Sequence, residues 1–201
     1  MFFKKKQEPE LPSEADARTV RLALIVGHEA NAQGARMLDG TTEYKYNSKI
    51  ADMVVGLATK QLLVNVIFRD KIGINGAYIE ARKAKNDIAV ELHFNAFNGN
   101  ARGTLTLCSH ETESQILAGV FHNHVCQAFG RAPMAKGIKA LSKGDRGAFN
   151  VYSFGGPSVL LEPFFGDNEA DYRLGVMNQE AYARSIVAAT LEWAKFKNLI
   201  A

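Results

Sequence analysis

Ile88-Ala89-Val90-Glu91-Leu92-His93-Phe94-Asn95-Ala96 is the stretch on which the reading of this chain turns. In a strand, successive side chains point to opposite faces, so Ile88, Val90, Leu92 and Phe94 share one side and Glu91, His93 and Asn95 share the other. Working outward, strand-like and helix-like patterns alternate on both sides of it. Upstream, Val20 to Val26 is an apolar strand ending at Gly27-His28, and Leu62 to Phe68 is a second. Between them Glu43 to about Lys60 has the helical period, with Thr41 or Thr42 as N-cap and Tyr46, Ile50, Met53, Val54 and Leu57 on one stripe. A glycine-bearing loop, Lys71 to Gly76, leads to a short basic helix over Tyr78 to Lys85. Downstream come an alternating strand, Gly103 to Ser109, and a helix over Ser114 to Phe129 with Leu117, Val120, Phe121, His124, Val125 and Ala128 inward. Arg131 to Phe154 has no clear period and reads as a long loop with room for one short strand. Ser158 to Glu162 is a buried strand closing on a carboxylate, and a helix over about Asn178 to Lys197 ends the chain. This alternation predicts an α/β layer architecture, a largely parallel sheet with helices on both faces.

Composition fits that class and excludes others. The chain has 201 residues, 47% hydrophobic and 22% charged, which suits one globular domain and excludes global disorder. Two cysteines exclude a disulfide-built scaffold, and 17 Gly and 5 Pro without a period exclude collagen-like sequence. With 24 Lys+Arg against 21 Asp+Glu, the net charge of +3 is too small and dispersed to imply nucleic acid. No apolar run reaches the ~18 to 20 residues of a membrane span. Residues 1 to 18 are polar and aperiodic, so a flexible lead-in is expected there and a single domain over 19–201. Met1 to Pro12 holds a basic cluster but no apolar stretch or small-residue cleavage site, so synthesis in the cytoplasm without a signal peptide is expected.

In open α/β sheets, ligands gather beyond the carboxyl ends of the strands. His28 follows the first strand through Gly27, where a missing side chain allows close approach. His93 lies late in the central strand, Glu162 ends the last one, and Glu43 opens the helix that follows the first. Two imidazoles and a carboxylate with an open fourth position form a catalytic zinc set, which also needs a free carboxylate as general acid and base. Each residue has a plainer explanation alone. A lone histidine at a strand end is more often a partly buried structural group, and Glu43 is favoured at a helix N-terminus by the dipole. Glu162 is harder to explain away, because a carboxylate closing a buried strand needs a partner, a metal or water. His122 and Cys126, spaced i and i+4, are too isolated to argue for a metal. Cys108 and Cys126 have apolar neighbours and are expected as buried free thiols.

Taken in order, Val26-Gly27-His28-Glu29, Gly34-Ala35, Thr42-Glu43-Tyr44, Arg82, Glu91-Leu92-His93-Phe94-Asn95-Ala96 and Val159-Leu160-Leu161-Glu162-Pro163-Phe164-Phe165 resemble the zinc-dependent N-acetylmuramoyl-L-alanine amidases. The resemblance runs from about residue 20 to the C-terminus. It implies one three-layer domain with a twisted, mostly parallel sheet of about six strands. It further implies that His28, Glu43 and His93 bind Zn²⁺, and that Glu162 is the catalytic acid and base. The implied reaction is hydrolysis of the amide between the lactyl group of N-acetylmuramic acid and L-alanine of the peptidoglycan stem peptide. With no export signal or wall-binding module read in the sequence, a phage-type endolysin acting on the periplasmic or wall side after release is expected, and a monomer. Some positions depart from the family pattern. Ile25-Val26 replaces Asp-Pro, Glu29 and Ala30 replace small glycines, and Pro163-Phe164-Phe165-Gly166 replaces Gly-Phe. Glu91 stands where Ser is common, on the same face as His93, as an acceptor for a ligand imidazole; Arg82 is a candidate to hold a carboxylate or carbonyl nearby. A zinc exopeptidase or other metal-dependent deacylase, and a catalytically silent wall-binding module, are the alternatives.

Overall fold

The computed structural model describes residues 18–133 and 135–201. All but the last residue of the expected lead-in lies outside them. The elements run β1 (Val20–Val26), α1 (Glu43–Leu57), β2 (Leu62–Phe68), α2 (Gly73–Lys83), β3 (Ile88–Leu92), β4 (Leu105–Ser109), α3 (Thr112–Ala128), β5 (Ile138–Leu141), α4 (Ala148–Tyr152), β6 (Ser158–Glu162), α5 (Glu169–Met177) and α6 (Gln179–Phe196). The six strands form one sheet in the order β2-β1-β3-β6-β4-β5. β2, β1, β3 and β6 are parallel; β4 and β5 are parallel to each other but enter the sheet antiparallel to β6. This is the expected three-layer, mostly parallel α/β domain.

Burial of both sheet faces explains the continuous apolar runs of the central strands. On one face, α1, α3 and α6 bring Tyr46, Ile50, Phe121, Val125, Tyr182 and Ile186 against Leu22, Leu24, Val90 and Leu161. On the other, α2 covers Ala23, Ile25 and Ala89 with Ala77, Tyr78 and Ala81, and α4 covers Leu107 and Leu160 with Ala148 and Val151. Burying one such aliphatic side chain contributes about 1.5–3 kcal/mol, so these two layers hold the sheet rigid beneath whatever its rim carries.

Several boundaries differ from expectation. α2 begins at Gly73, because Gly73 and Gly76, read as loop, form its first turn. The segment read as one long loop holds a 3-10 turn (Ala135–Gly137), β5 and α4; β5 buries only Leu141 and so shows no apolar run, and α4 is little more than one helical turn. α5 went unread, although Asn168 caps it by accepting from the Asp171 backbone N–H at 3.2 Å. The inner stripe of α3 contains His122, 2% exposed, whereas His124 turns outward to Glu192 at 2.7 Å. His122 faces Thr106 and Cys126, and both cysteines are buried free thiols. Among the described residues, no helix is long and apolar enough to cross a membrane.

The register fixes where polar groups emerge on the α2/α4 face. Ile25, Glu91, Leu160, Leu107 and Lys139 lie side by side across five strands. One pleat further, where β1, β3 and β6 end, the row reads Gly27, His93, Glu162 and Leu105, held by Gly27 N–H to Leu92 O and His93 N–H to Leu161 O, both 3.0 Å.

Candidate metal centre

Glu43 is the pivot of this second row. Thr42 caps α1 by accepting from the Lys45 N–H at 3.3 Å, which leaves Glu43 as the first helical residue, aimed back at the strand ends. Its side chain is 7% exposed. Oε2 accepts from the Ala35 N–H at 2.8 Å and Oε1 from the Phe94 N–H at 3.2 Å, so the carboxylate is fixed before any ligand arrives. His28 Nε2 stands 2.9 Å from Oε2 and His93 Nδ1 3.1 Å from Oε1. The two imidazoles meet edge to face, with centroids 4.9 Å apart.

The backbone is shaped around this group. His28 sits at φ 69°, a left-handed conformation that is costly outside glycine and marks functional sites when the surroundings enforce it. Gly27 is required by packing: a Cβ there would collide with the Leu92 carbonyl oxygen and lie 2.5 Å from His93 Cε1. What approaches the bare backbone is thus the second imidazole. At Gly34, at φ +76°, a Cβ would fall 2.5 Å from Glu43 Oε2 and from His28 Cδ2.

One donor atom from each of His28, Glu43 and His93 lies within 4.8 Å of the others, so these three residues form a group able to hold a metal ion. Two nitrogens and one carboxylate oxygen suit zinc. Burial alone would depress the His93 imidazole, but Glu43 and Glu91 outweigh it and push its pKa up to about 10. Burial would likewise raise Glu43, but hydrogen bonds from His28 and His93 hold it well below the usual carboxylate range. The pocket therefore favours a positive charge at its centre, as a cation site must.

Glu91 is fully buried beneath His93. Its oxygens accept from Tyr78 OH at 2.7 Å, Asn150 Nδ2 at 2.7 Å and Arg69 Nη1 at 3.1 Å, and Oε1 lies 3.1 Å from His93 Nε2. Desolvation opposes its ionisation, but His93, Tyr78 and Asn150 win, and the carboxyl is shifted down. A carboxylate beside Nε2 fixes the proton there and turns Nδ1 toward Glu43. The expectation for Glu91 is thus matched by geometry. Arg82 is not near the centre: it is exposed and donates to the Ser153 carbonyl. The arginine that reaches the site is Arg69, from the loop after β2, which the sequence reading missed along with Tyr78 and Asn150.

Glu162 follows Leu161, the register partner of Leu92, and so neighbours His93. Asn95 Nδ2 donates to its Oε2 at 2.8 Å. Burial raises its pKa, against the pull of His93. The triad and Glu162 open into one cleft of about 650 Å³, whose far side is lined by Leu105, Lys139 and Arg146. All four residues singled out in the sequence are therefore brought together.

The sequence pattern of the family described as N-acetylmuramoyl-L-alanine amidase matches residues 22–193. The chain belongs to that family. The match decides for the amidase, a peptidoglycan hydrolase, over the exopeptidase and the silent module. None of the curated proteins matches the amidase by sequence. Solved structures share its fold. An N-acetylmuramoyl-L-alanine amidase from Clostridium difficile 630 superposes with a TM-score of 0.79 at 20% identity, covering 90% of this chain and 100% of that one. The catalytic domain of CwlV, from Bacillus (Paenibacillus) polymyxa var. colistinus, gives 0.76 at 19% identity, covering 90% and 99%. The catalytic domain of the CD27L endolysin, which targets Clostridia difficile, gives 0.69 at 24%, covering 86% and 97%.

Proposed function

We propose that the amidase is a zinc enzyme in which His28, Glu43 and His93 hold the ion and Glu162 moves the proton, and that it serves as a lytic, endolysin-type hydrolase of the bond between the muramyl lactyl group and L-alanine. The observation that carries the reading is the position of Glu162, a half-buried carboxyl of raised pKa, beside a His-Glu-His group in one cleft. Zinc, when bound, supplies Lewis-acid polarisation of the scissile carbonyl and makes nearby water more acidic.

The remaining steps belong to the chain. Glu43, fixed by two backbone N–H groups, orients both imidazoles. Glu91 keeps His93 in one tautomer. In its ionised form Glu162, poorly solvated, accepts a proton from the attacking water; its raised pKa then lets it return that proton to the alanine nitrogen as the C–N bond breaks. Asn95 holds the carboxylate in place while its charge changes.

Digestion of purified sacculi tests the reading. Free L-alanine N-termini with intact glycan strands are expected, together with a fall in turbidity of permeabilised cells; release of reducing sugars or of C-terminal amino acids without new alanine N-termini would refute it.

A further inference from the structure

Building on the amidase reading, we propose that Lys139 and Arg146 form a subsite for the free α-carboxylate of the second residue of the stem peptide. That residue in peptidoglycan is a glutamate linked through its side-chain carboxyl, and its α-carboxyl is free in some walls and amidated in others. The subsite would thus set which wall chemistry the amidase prefers.

The other cations nearby are already engaged. Arg69 is bonded to Glu91, Arg82 to the Ser153 carbonyl and Arg131 to Asp171. Lys139, on β5, and Arg146, just before α4, both line the cleft, both are exposed, and neither makes an ion pair or side-chain hydrogen bond with a described residue. Both charges are close enough to Glu162 to pull against the upward push of burial on its carboxyl.

Distance supports the same occupant. Lys139 lies two strands from β6, roughly 10 Å sideways at ~4.8 Å per strand, and its side chain spans about half of that. Glu162 delivers its proton to the alanine nitrogen, which fixes that atom beside β6. Two extended residues cover at most about 7 Å, so the α-carboxylate of the second residue falls within reach of Lys139, with Arg146 lining the same cleft. On the opposite side the charges are mixed and already partnered: Asp70 is tied by the Ala30 N–H at 2.7 Å and Tyr44 OH at 2.7 Å, with Lys71 acting on it.

Three synthetic muramyl tripeptides test this. The first has free α-carboxylate on γ-linked D-glutamate and a third-residue lysine amide; the second is its α-amide; the third keeps the α-amide but frees the carboxylate of lysine. We expect the first to be cleaved with kcat/KM roughly tenfold above the second, mainly through KM, as for one charge-assisted contact, and the third to match the second. In the double variant Lys139→Met, Arg146→Met, the ratio of first to second should collapse toward one, a coupling that a merely structural role would not show. Equal rates in the unmodified enzyme, a ratio that survives the double substitution, or a third substrate as good as the first would each overturn the subsite while leaving the amidase reading intact. If sacculi and all three tripeptides go uncleaved, the amidase reading falls and the subsite with it.

Discussion

His93 is held between two carboxylates, and its two nitrogens thereby receive different tasks. Glu91 faces Nε2 and Glu43 faces Nδ1, each at 3.1 Å. Removing the charge from Glu91 loosens the tautomer while leaving the donor set complete. Glu91→Gln should therefore retain the fold but bind zinc 10- to 100-fold more weakly, as with other supports of metal-bound histidines, which competition with a chromophoric chelator measures; unchanged affinity would assign Glu91 to packing alone. Glu162 predicts the opposite separation. Glu162→Gln should keep a full complement of zinc and lose about 10²- to 10⁴-fold in kcat, read by metal analysis and turnover on the same sample. In the proposed mechanism Glu162 works first as a base, so activity requires its ionised form. Burial lifts its pKa above 4.5, so the acidic limb of kcat/KM should fall at a pH above that value and vanish in the Gln variant. At this scale the four principal residues were legible because each closes a strand or opens a helix, positions where a polar side chain has few other duties. Arg69, Tyr78 and Asn150 were not, since they come from a loop and two helices and meet only when α2 and α4 settle around Glu91.

Strand ends, more than single residues, set the spacing of the centre. β1 and β3 run side by side in parallel, so the residues just past their ends, Gly27 and His93, are neighbours, and the imidazole occupies the volume a side chain on residue 27 would need. Gly27→Ala should displace His93 from Glu43 and abolish stoichiometric zinc binding, with the far-ultraviolet spectrum of the sheet and helices preserved. Full zinc content in that variant would mean the two strand ends can separate without loss. β1, β3 and β6 were readable because nearly every residue is buried and the strand shows as an apolar run, and α1, α3 and α6 because fifteen or more residues repeat their stripe. β5 buries only Leu141, and α4 is little more than one turn, so neither declares itself. α5 hid for another reason: only Asp171 and Gly175 of its nine residues are buried, so it shows no apolar stripe. Asp171 still anchors it, pairing with Arg131 and accepting from the Gly103 and Phe165 N–H groups.

Across the molecule, the metal group joins three separate parts: the turn after β1, the start of α1 and the exit of β3. Whatever binds there couples these parts, and the charge of the empty pocket decides how. With its pKa near 10, His93 is protonated at pH 7 when no metal is present, and its charge offsets Glu43 and Glu91. The metal-free amidase should accordingly stay folded at neutral pH, with a lower melting temperature. A free ligand at 1,000 times its Kd contributes about 4 kcal/mol, worth roughly 8–16 °C for a chain of this size, so a chelator should lower the melt by that order. Zinc needs the His93 lone pair, so binding must expel the proton. Titration calorimetry at pH 7 in buffers of different ionisation enthalpy should report close to one proton released per zinc, and affinity should rise with pH until His93 is neutral on its own. The sign follows from the raised pKa: the proton is present below about 10 and competes with the metal there. Zinc uptake without proton release would mean that the imidazole is neutral in the empty site, and that Glu91 and Arg69 balance each other without it.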